Sequence, residues 1–210
     1  MKTYPLLSSL ASIATVIAAQ SNTTQNSNST TVPSFGANTT FEAYVQSGID
    51  RVRANASYTD AKLYYINLIG ITNDTHDVTL LFDLPSQSSK IGILNSYTIK
   101  GVDGGWLAPT LGIKSKTFVP DSDFDWASIP MTLSRAEDIV RADKELNDAE
   151  KNFALATLVV ARAHGDNGEK YGIPAGHPYF NWLIGSNNTL TTVFVDMMTE
   201  AVKFNRTTFL

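Results

Sequence analysis

The 210-residue chain has no cysteine. This excludes disulfides, thiolate metal sites and a cysteine nucleophile. Small secreted domains commonly rely on disulfide staples, so this chain has to rely on its core. Histidine is scarce: His76, His164 and His177 are the three. None forms an H-x-x-x-H pair or an HExxH motif, so metal-ligand spacing is missing and no metal or cofactor is expected. Basic charge is thin. A formal net charge of −4 argues against nucleic acid as a partner, which calls for a basic face. No G-x-S-x-G elbow, P-loop or dinucleotide fingerprint occurs, and Gly101-Val102-Asp103-Gly104-Gly105 lacks the G-K-[ST] of a phosphate loop. Long apolar runs are also missing. The run Leu6–Ala19 falls short of the roughly 20 residues that a membrane helix needs, and no later stretch is long enough.

The N-terminus reads as a secretory signal over 1–19. Lys2 gives a weak positive start, Leu6 to Ala19 is apolar apart from Ser and Thr, and Ala18-Ala19 offers small residues for cleavage. Seven N-x-S/T acceptors accompany it, at Asn22, Asn28, Asn38, Asn55, Asn73, Asn187 and Asn205. One sequon arises easily by chance. Seven behind a signal support one another and predict surface glycosylation of an extracellular protein. Residues 20–40 are rich in Ser, Thr and Asn, too polar to bury surface, and are expected to be a flexible, glycosylated leader.

Phe41, Tyr44, Val45, Gly48, Ile49 and Val52 share one helical face. Thr39 with Glu42 fits a capping box, and Gly48 would allow a sheet to approach closely. Leu63–Ile71 is apolar on both faces, as a central strand should be. Val78–Leu84 is its return strand, and Ile91–Ile99 is a third. Pro109, Pro120 and Pro130 break up the following stretch. Within it Asp121, Asp123 and Asp125 alternate like the opening of a calcium loop. That loop needs glycine at position six and glutamate at twelve, where this chain has Trp126 and Thr132. A solvated turn that caps the next helix fits better. Thr132–Lys144 predicts a second helix, with Leu133, Ala136, Ile139 and Val140 on one face. Asn152–Ala163 fits either element, and its alanines and length favour helix. Met197–Phe204 fits a short helix or a strand.

Tyr64-Tyr65-Ile66-Asn67-Leu68-Ile69-Gly70 returns as Tyr179-Phe180-Asn181-Trp182-Leu183-Ile184-Gly185. Each copy is followed by a polar turn with a sequon and an apolar run ending in aspartate, Asp83 or Asp196. Such self-similarity suggests a duplicated unit. The expected fold is α+β, with helices packed on one face of an antiparallel sheet in two helix-plus-hairpin units. They would span 41–106 and 132–210, joined by a connector over 107–131. Leu68 would lie over Leu183, and Asp83 over Asp196.

The C-terminal part resembles PepSY-type domains. Leu133-Ser134-Arg135-Ala136-Glu137-Asp138-Ile139-Val140 matches their leading helix. Tyr179–Ile184 matches the aromatic strand of their last hairpin. Val195-Asp196-Met197-Met198-Thr199-Glu200-Ala201-Val202 matches the closing Val-Asp-x-x-Thr-Gly-x-Val, with Glu200 in the glycine's place. The first unit lacks that closing motif, because Leu84-Pro85 follows Asp83. The resemblance implies a cystatin-like fold and a non-catalytic role of the kind played by peptidase propeptides, which bind and restrain an enzyme.

The expected function is therefore that of a secreted, non-enzymatic glycoprotein that binds a protein, such as a peptidase, or an apolar small ligand. Aromatics on the strands are the candidate contacts: Trp182, Tyr179, Tyr65 and Tyr97. Two alternatives are open. One is a small α+β hydrolase or cyclase-type enzyme that uses His164 or His177 with a carboxylate. The other is a structural cell-surface protein.

Overall fold

A computed structural model describes residues 39–72, 75–87, 90–99, 105–113, 123–153, 156–165, 168–186 and 188–209. The signal at 1–19, the leader as far as residue 38, and Asn22, Asn28, Asn38, Asn73 and Asn187 lie outside them.

The first helix, α1 (Phe41–Arg53), buries the six residues that its sequence periodicity marks. Its cap differs from the expectation. Thr40, not Thr39, is the N-cap and accepts from the Ala43 N–H. Glu42 therefore stands one position too early to close a capping box. Its carboxylate instead accepts from the N–H of Leu133, at 2.7 Å, where the second helix begins.

Strands β1 (Lys62–Thr72), β2 (Thr75–Asp83) and β3 (Lys90–Ile99) then form a meander. Two short pieces, β4 (Gly105–Trp106) and β5 (Thr110–Ile113), pair with successive parts of β3 as one broken edge strand. Asp125 caps the 3-10 turn Trp126–Ser128 rather than the helix that follows. Helix α2 (Leu133–Ala142) is capped by Thr132. Strands β6 (Thr157–Arg162), β7 (Pro178–Ser186), β8 (Thr189–Asp196) and β9 (Val202–Thr208) complete a second meander.

All nine described strands share one antiparallel sheet, in the order β4-β3-β2-β1-β6-β7-β8-β9, with β5 beside β3. Each helix precedes its own meander, and the first strands of the two meanders, β1 and β6, pair at the centre from Tyr65↔Ala161 to Ile69↔Thr157. Both helices pack on one face of the sheet. Phe41, Val45, Ile49, Leu133, Ala136 and Val140 meet Ile66, Leu80, Val160, Phe180, Trp182 and Val193 in one core. Gly48 marks the closest approach. A Cβ there would stand 2.6 Å from the Trp106 ring and 2.7 Å from Leu80.

The helix expected over Asn152–Ala163 is not formed. A 3-10 turn, Asp148–Lys151, ends that pattern, and β6 follows. Leu146, Ala156 and Val160 are buried in the core, but not on one helical face. Strand wins because β6 fills the place between β1 and β7, where both sides of its backbone find ladder partners. Its β-branched Val159-Val160 suits that environment.

The two similar stretches do form the first strands of hairpins, β1–β2 and β7–β8. With β1 and β7 aligned, however, β2 lies on one side of β1 and β8 on the opposite side of β7. Residues matched by their order in the sequence therefore face opposite sides of the sheet. Leu68 is in the helix-side core, whereas Leu183 alternates with the buried Trp182 and Ile184 and faces away. Asp196 pairs with Tyr179, but Asp83 pairs with Lys62. By facing, Tyr65-Ile66-Asn67-Leu68-Ile69 corresponds to Tyr179-Phe180-Asn181-Trp182-Leu183. This is one residue away from the obvious alignment, and a slip of one residue exchanges the two faces of a strand.

Candidate binding face

The helices cover one side of the sheet, and the other side is the candidate site. Strand alternation and register decide what it presents. One row crosses the sheet as Leu81, Tyr65, Ala161, Tyr179 and Asp196. The next runs Thr79, Asn67, Val159, Asn181, Phe194 and Lys203. A third runs Asp77, Ile69, Thr157, Leu183, Thr192 and Asn205.

The first row is partly roofed by the segment between β6 and β7. Tyr171 stacks on Phe194 with centroids 4.5 Å apart, and Tyr179 meets Phe194 edge-on at 5.6 Å. Ile173, Ala161 and Ala163 complete this small second core, with Tyr65 and Val159 half-buried at its margin. Gly168 (φ 79) lets the segment lie down: a Cβ there would stand 2.8 Å from the Tyr179 ring. Burial pushes the phenols of Tyr65 and Tyr179 up, and takes Tyr64 to about 12, with Tyr65 and Asp83 adding to the effect.

Beyond this roof Thr79, Asn67, Val159, Ile69, Thr157, Leu183 and Thr192 remain half-buried. Asn181, at the border, is only 7% exposed as a residue, but its amide is not among the buried polar atoms left without a partner. Asn67 stands in the same row across β6, two strand spacings or about 10 Å away.

The four aromatic candidates separate. Trp182 faces the helix layer, is 2% exposed and packs on Phe153 and Phe180. Tyr179 lies under the roof. Tyr65 stands at the margin of the open face. Tyr97 lies in β3, where it pairs with Asp77 and Gly105. Register thus brings Tyr65 and Tyr179 into one row and places Trp182 on the opposite side of the sheet. The asparagines Asn67 and Asn181 did not stand out in the sequence. The spacing Tyr-x-Asn, repeated at Tyr65–Asn67 and Tyr179–Asn181, is the signal that could have found them. Two sequon asparagines are described, Asn55 after α1 and Asn205 in β9, and both are exposed.

Of the histidines, His164 is exposed just past β6, and His76 lies in β2. His177 has a carboxylate beside it: Nδ1 lies 2.9 and 3.1 Å from the two oxygens of Asp196. Asp196 is buried and also accepts from the Met198 N–H and Thr199 Oγ1. Burial pushes its carboxyl up, but the His177, Met198 and Thr199 hydrogen bonds outweigh this and hold it below its ordinary value. The arrangement organises the turn into β9. Glu200 in that turn takes a left-handed φ of 59°, the conformation that favours glycine, and forms a two-point pair with Arg135 of α2.

A separate cavity of about 340 Å³ opens between α1 and residues 126–132, walled by Glu42, Gln46, Trp126, Ile129 and Met131. It contains no histidine. Among the described residues no cluster of three ligating side chains could hold a metal, and no helix is long and apolar enough to cross a membrane.

The described residues place the chain among α+β proteins, with two described helices on one face of a single antiparallel sheet. A solved structure from Clostridium difficile 630, described as a "putative lipoprotein", is similar to it. The TM-score is 0.52 at 12% identity, covering 80% of this chain and 93% of that one. At that identity the likeness concerns the fold alone. No protein-family model matches the chain, and no curated protein matches it in sequence.

Proposed function

We propose that this is an extracellular, non-enzymatic binding protein whose open sheet face receives a partner protein. The observation that carries the reading is the sheet face away from the helices, on which Ile69, Val159 and Leu183 are only half-covered, with the polar Asn67 and Asn181 in the same stretch. The face is broad and not enclosed, which suits a protein surface better than a small ligand. Secretion is supported by the signal-like start and the sequons. The resemblance to PepSY-type domains makes a peptidase the first partner to try. The hydrolase alternative has the His177–Asp196 pair in its favour, but that carboxylate is already engaged by Thr199 and the Met198 N–H.

The test uses Asn181→Leu. It replaces the amide with an apolar side chain of similar size, and melting curves check that the variant is folded. Binding to a panel of secreted serine, aspartic and metallopeptidases, followed by calorimetry, should weaken at least tenfold for the peptidase that wild type binds. Unchanged binding, or binding only to a fatty acid probe, would overturn the protein-partner reading. Turnover of a substrate that is lost in a folded His177→Ala variant would overturn the non-enzymatic one.

A further inference from the structure

The free edge of β9 carries a device that the fold alone does not explain. Strand β9 is the last in the sheet, paired only with β8 among the described strands. An exposed strand edge offers unpaired N–H and C=O groups to a second chain. Proteins usually blunt such edges with lysines, prolines, bulges or covering segments. Here the guanidinium of Arg206 is turned back onto the molecule. Arg206 lies over the Phe204 ring and binds both oxygens of Glu150. The aliphatic stem of Lys203 lies along Gly172. Lys203 is exposed near the start of the strand; beyond it Asn205, Thr207 and Thr208 are exposed and uncharged, and the guanidinium of the exposed Arg206 is held by Glu150. Asn205-Arg206-Thr207 is a complete acceptor sequon. Phe204 and Arg206 face the helix side, so Asn205 faces the other side, opposite Thr192.

We propose that an N-linked glycan on Asn205 is the cap of this edge. A bulky hydrated glycan in the middle of a seven-residue strand blocks the approach of another strand. It also borders the open face, so a partner would have to approach from the β1–β2 side. The proposal rests on the secretion reading, because the glycan is added only to a chain that enters the secretory route.

The experiment expresses the full chain in a glycosylating eukaryotic host and maps the secreted protein by mass spectrometry after enzymatic glycan release. Thr207→Ala and Thr207→Lys both abolish the acceptor, but only the second puts a charge on the edge. Sedimentation should find wild type monomeric. Thr207→Ala should show at least a doubling of weight-average mass as concentration rises, and Thr207→Lys should stay monomeric. Melting curves check that each variant is folded, with Asn205→Gln as the substitute if Thr207→Ala is not. A bare Asn205 beside glycans elsewhere would overturn the proposal and leave secretion standing. So would a monomeric, folded Thr207→Ala, or a Thr207→Lys that associates to the same extent. Retention in the cell with no glycan at any acceptor would overturn the secretion reading, and this proposal with it.

Discussion

Glu150 joins the short turn after α2 to both strands at the β9 end of the sheet. It accepts from Thr191 Oγ1, from the Arg206 guanidinium at both oxygens and from the N–H of Asn147. The Arg206 hydrogen bond is the largest cause that takes its carboxyl from 4.5 down to about 2. A carboxyl with a lowered folded pKa adds stability above its unfolded value and loses that contribution as pH falls through the folded one. Wild type should therefore lose melting temperature between pH 4.5 and about 2. Glu150→Gln should be less stable at neutral pH and show a flatter slope over that window in a pH series of thermal melts. Trp182 gives a second test at this scale. It is a core residue in the structure, so Trp182→Ala should cost about 3–5 kcal/mol in a denaturant titration. Tyr65→Ala, at the margin of the open face, should cost much less. The sequence marked both as aromatic strand residues. It could not say which side of the sheet each faces; for Tyr65 a register shift in β1 between Leu63 and Tyr65 changes the alternation.

Among the elements, α1 was the most legible. Its apolar spacing is a local property, and the structure buries the same six residues. Gly48 within it is required by the close approach to Trp106 and Leu80. Gly48→Ala should move the denaturation midpoint down, because overpacking costs about 1–3 kcal/mol against a helix-propensity gain of roughly 1 kcal/mol. Strand β6 was the least legible. Residues 146–163, in which it lies, fit both a helical stripe and a strand alternation, and its pairing with β1 and β7 decides between them. Hydrogen exchange should show that choice directly. Amides of β6 and its two neighbours should exchange slowest, and those of β5 and β9, at the sheet's edges, first. Fast exchange throughout 157–162 would contradict a central strand.

Across the whole molecule, the two meanders share one sheet and one core. Phe41 and Val45 of α1 belong to the same buried cluster as Val140 of α2 and Val193 of β8. Separated halves would each expose the central strand that the other covers, β1 in one and β6 in the other. Fragments ending or starting near residue 131 should be unfolded alone by circular dichroism. The full chain should melt in a single transition. An independently folded half would show that the central pairing is not needed for stability.

The amino-acid sequence by itself determined the α+β class, the face of α1, most of the strands and the absence of thiol chemistry and metal-ligand spacing. These follow from composition and from periodicities within about ten residues. Tertiary structure decided what depends on distant segments. Glu42 caps α2 instead of its own helix because Leu133 lies beside it. His177 finds Asp196 across the β7–β8 pairing. The two similar hairpins extend to opposite sides of their first strands, because β6 occupies the one side that β1 and β7 have in common. No pattern within either stretch encodes which neighbour lies to its left or right, so Asn181 becomes a feature of the open face only once the sheet has formed.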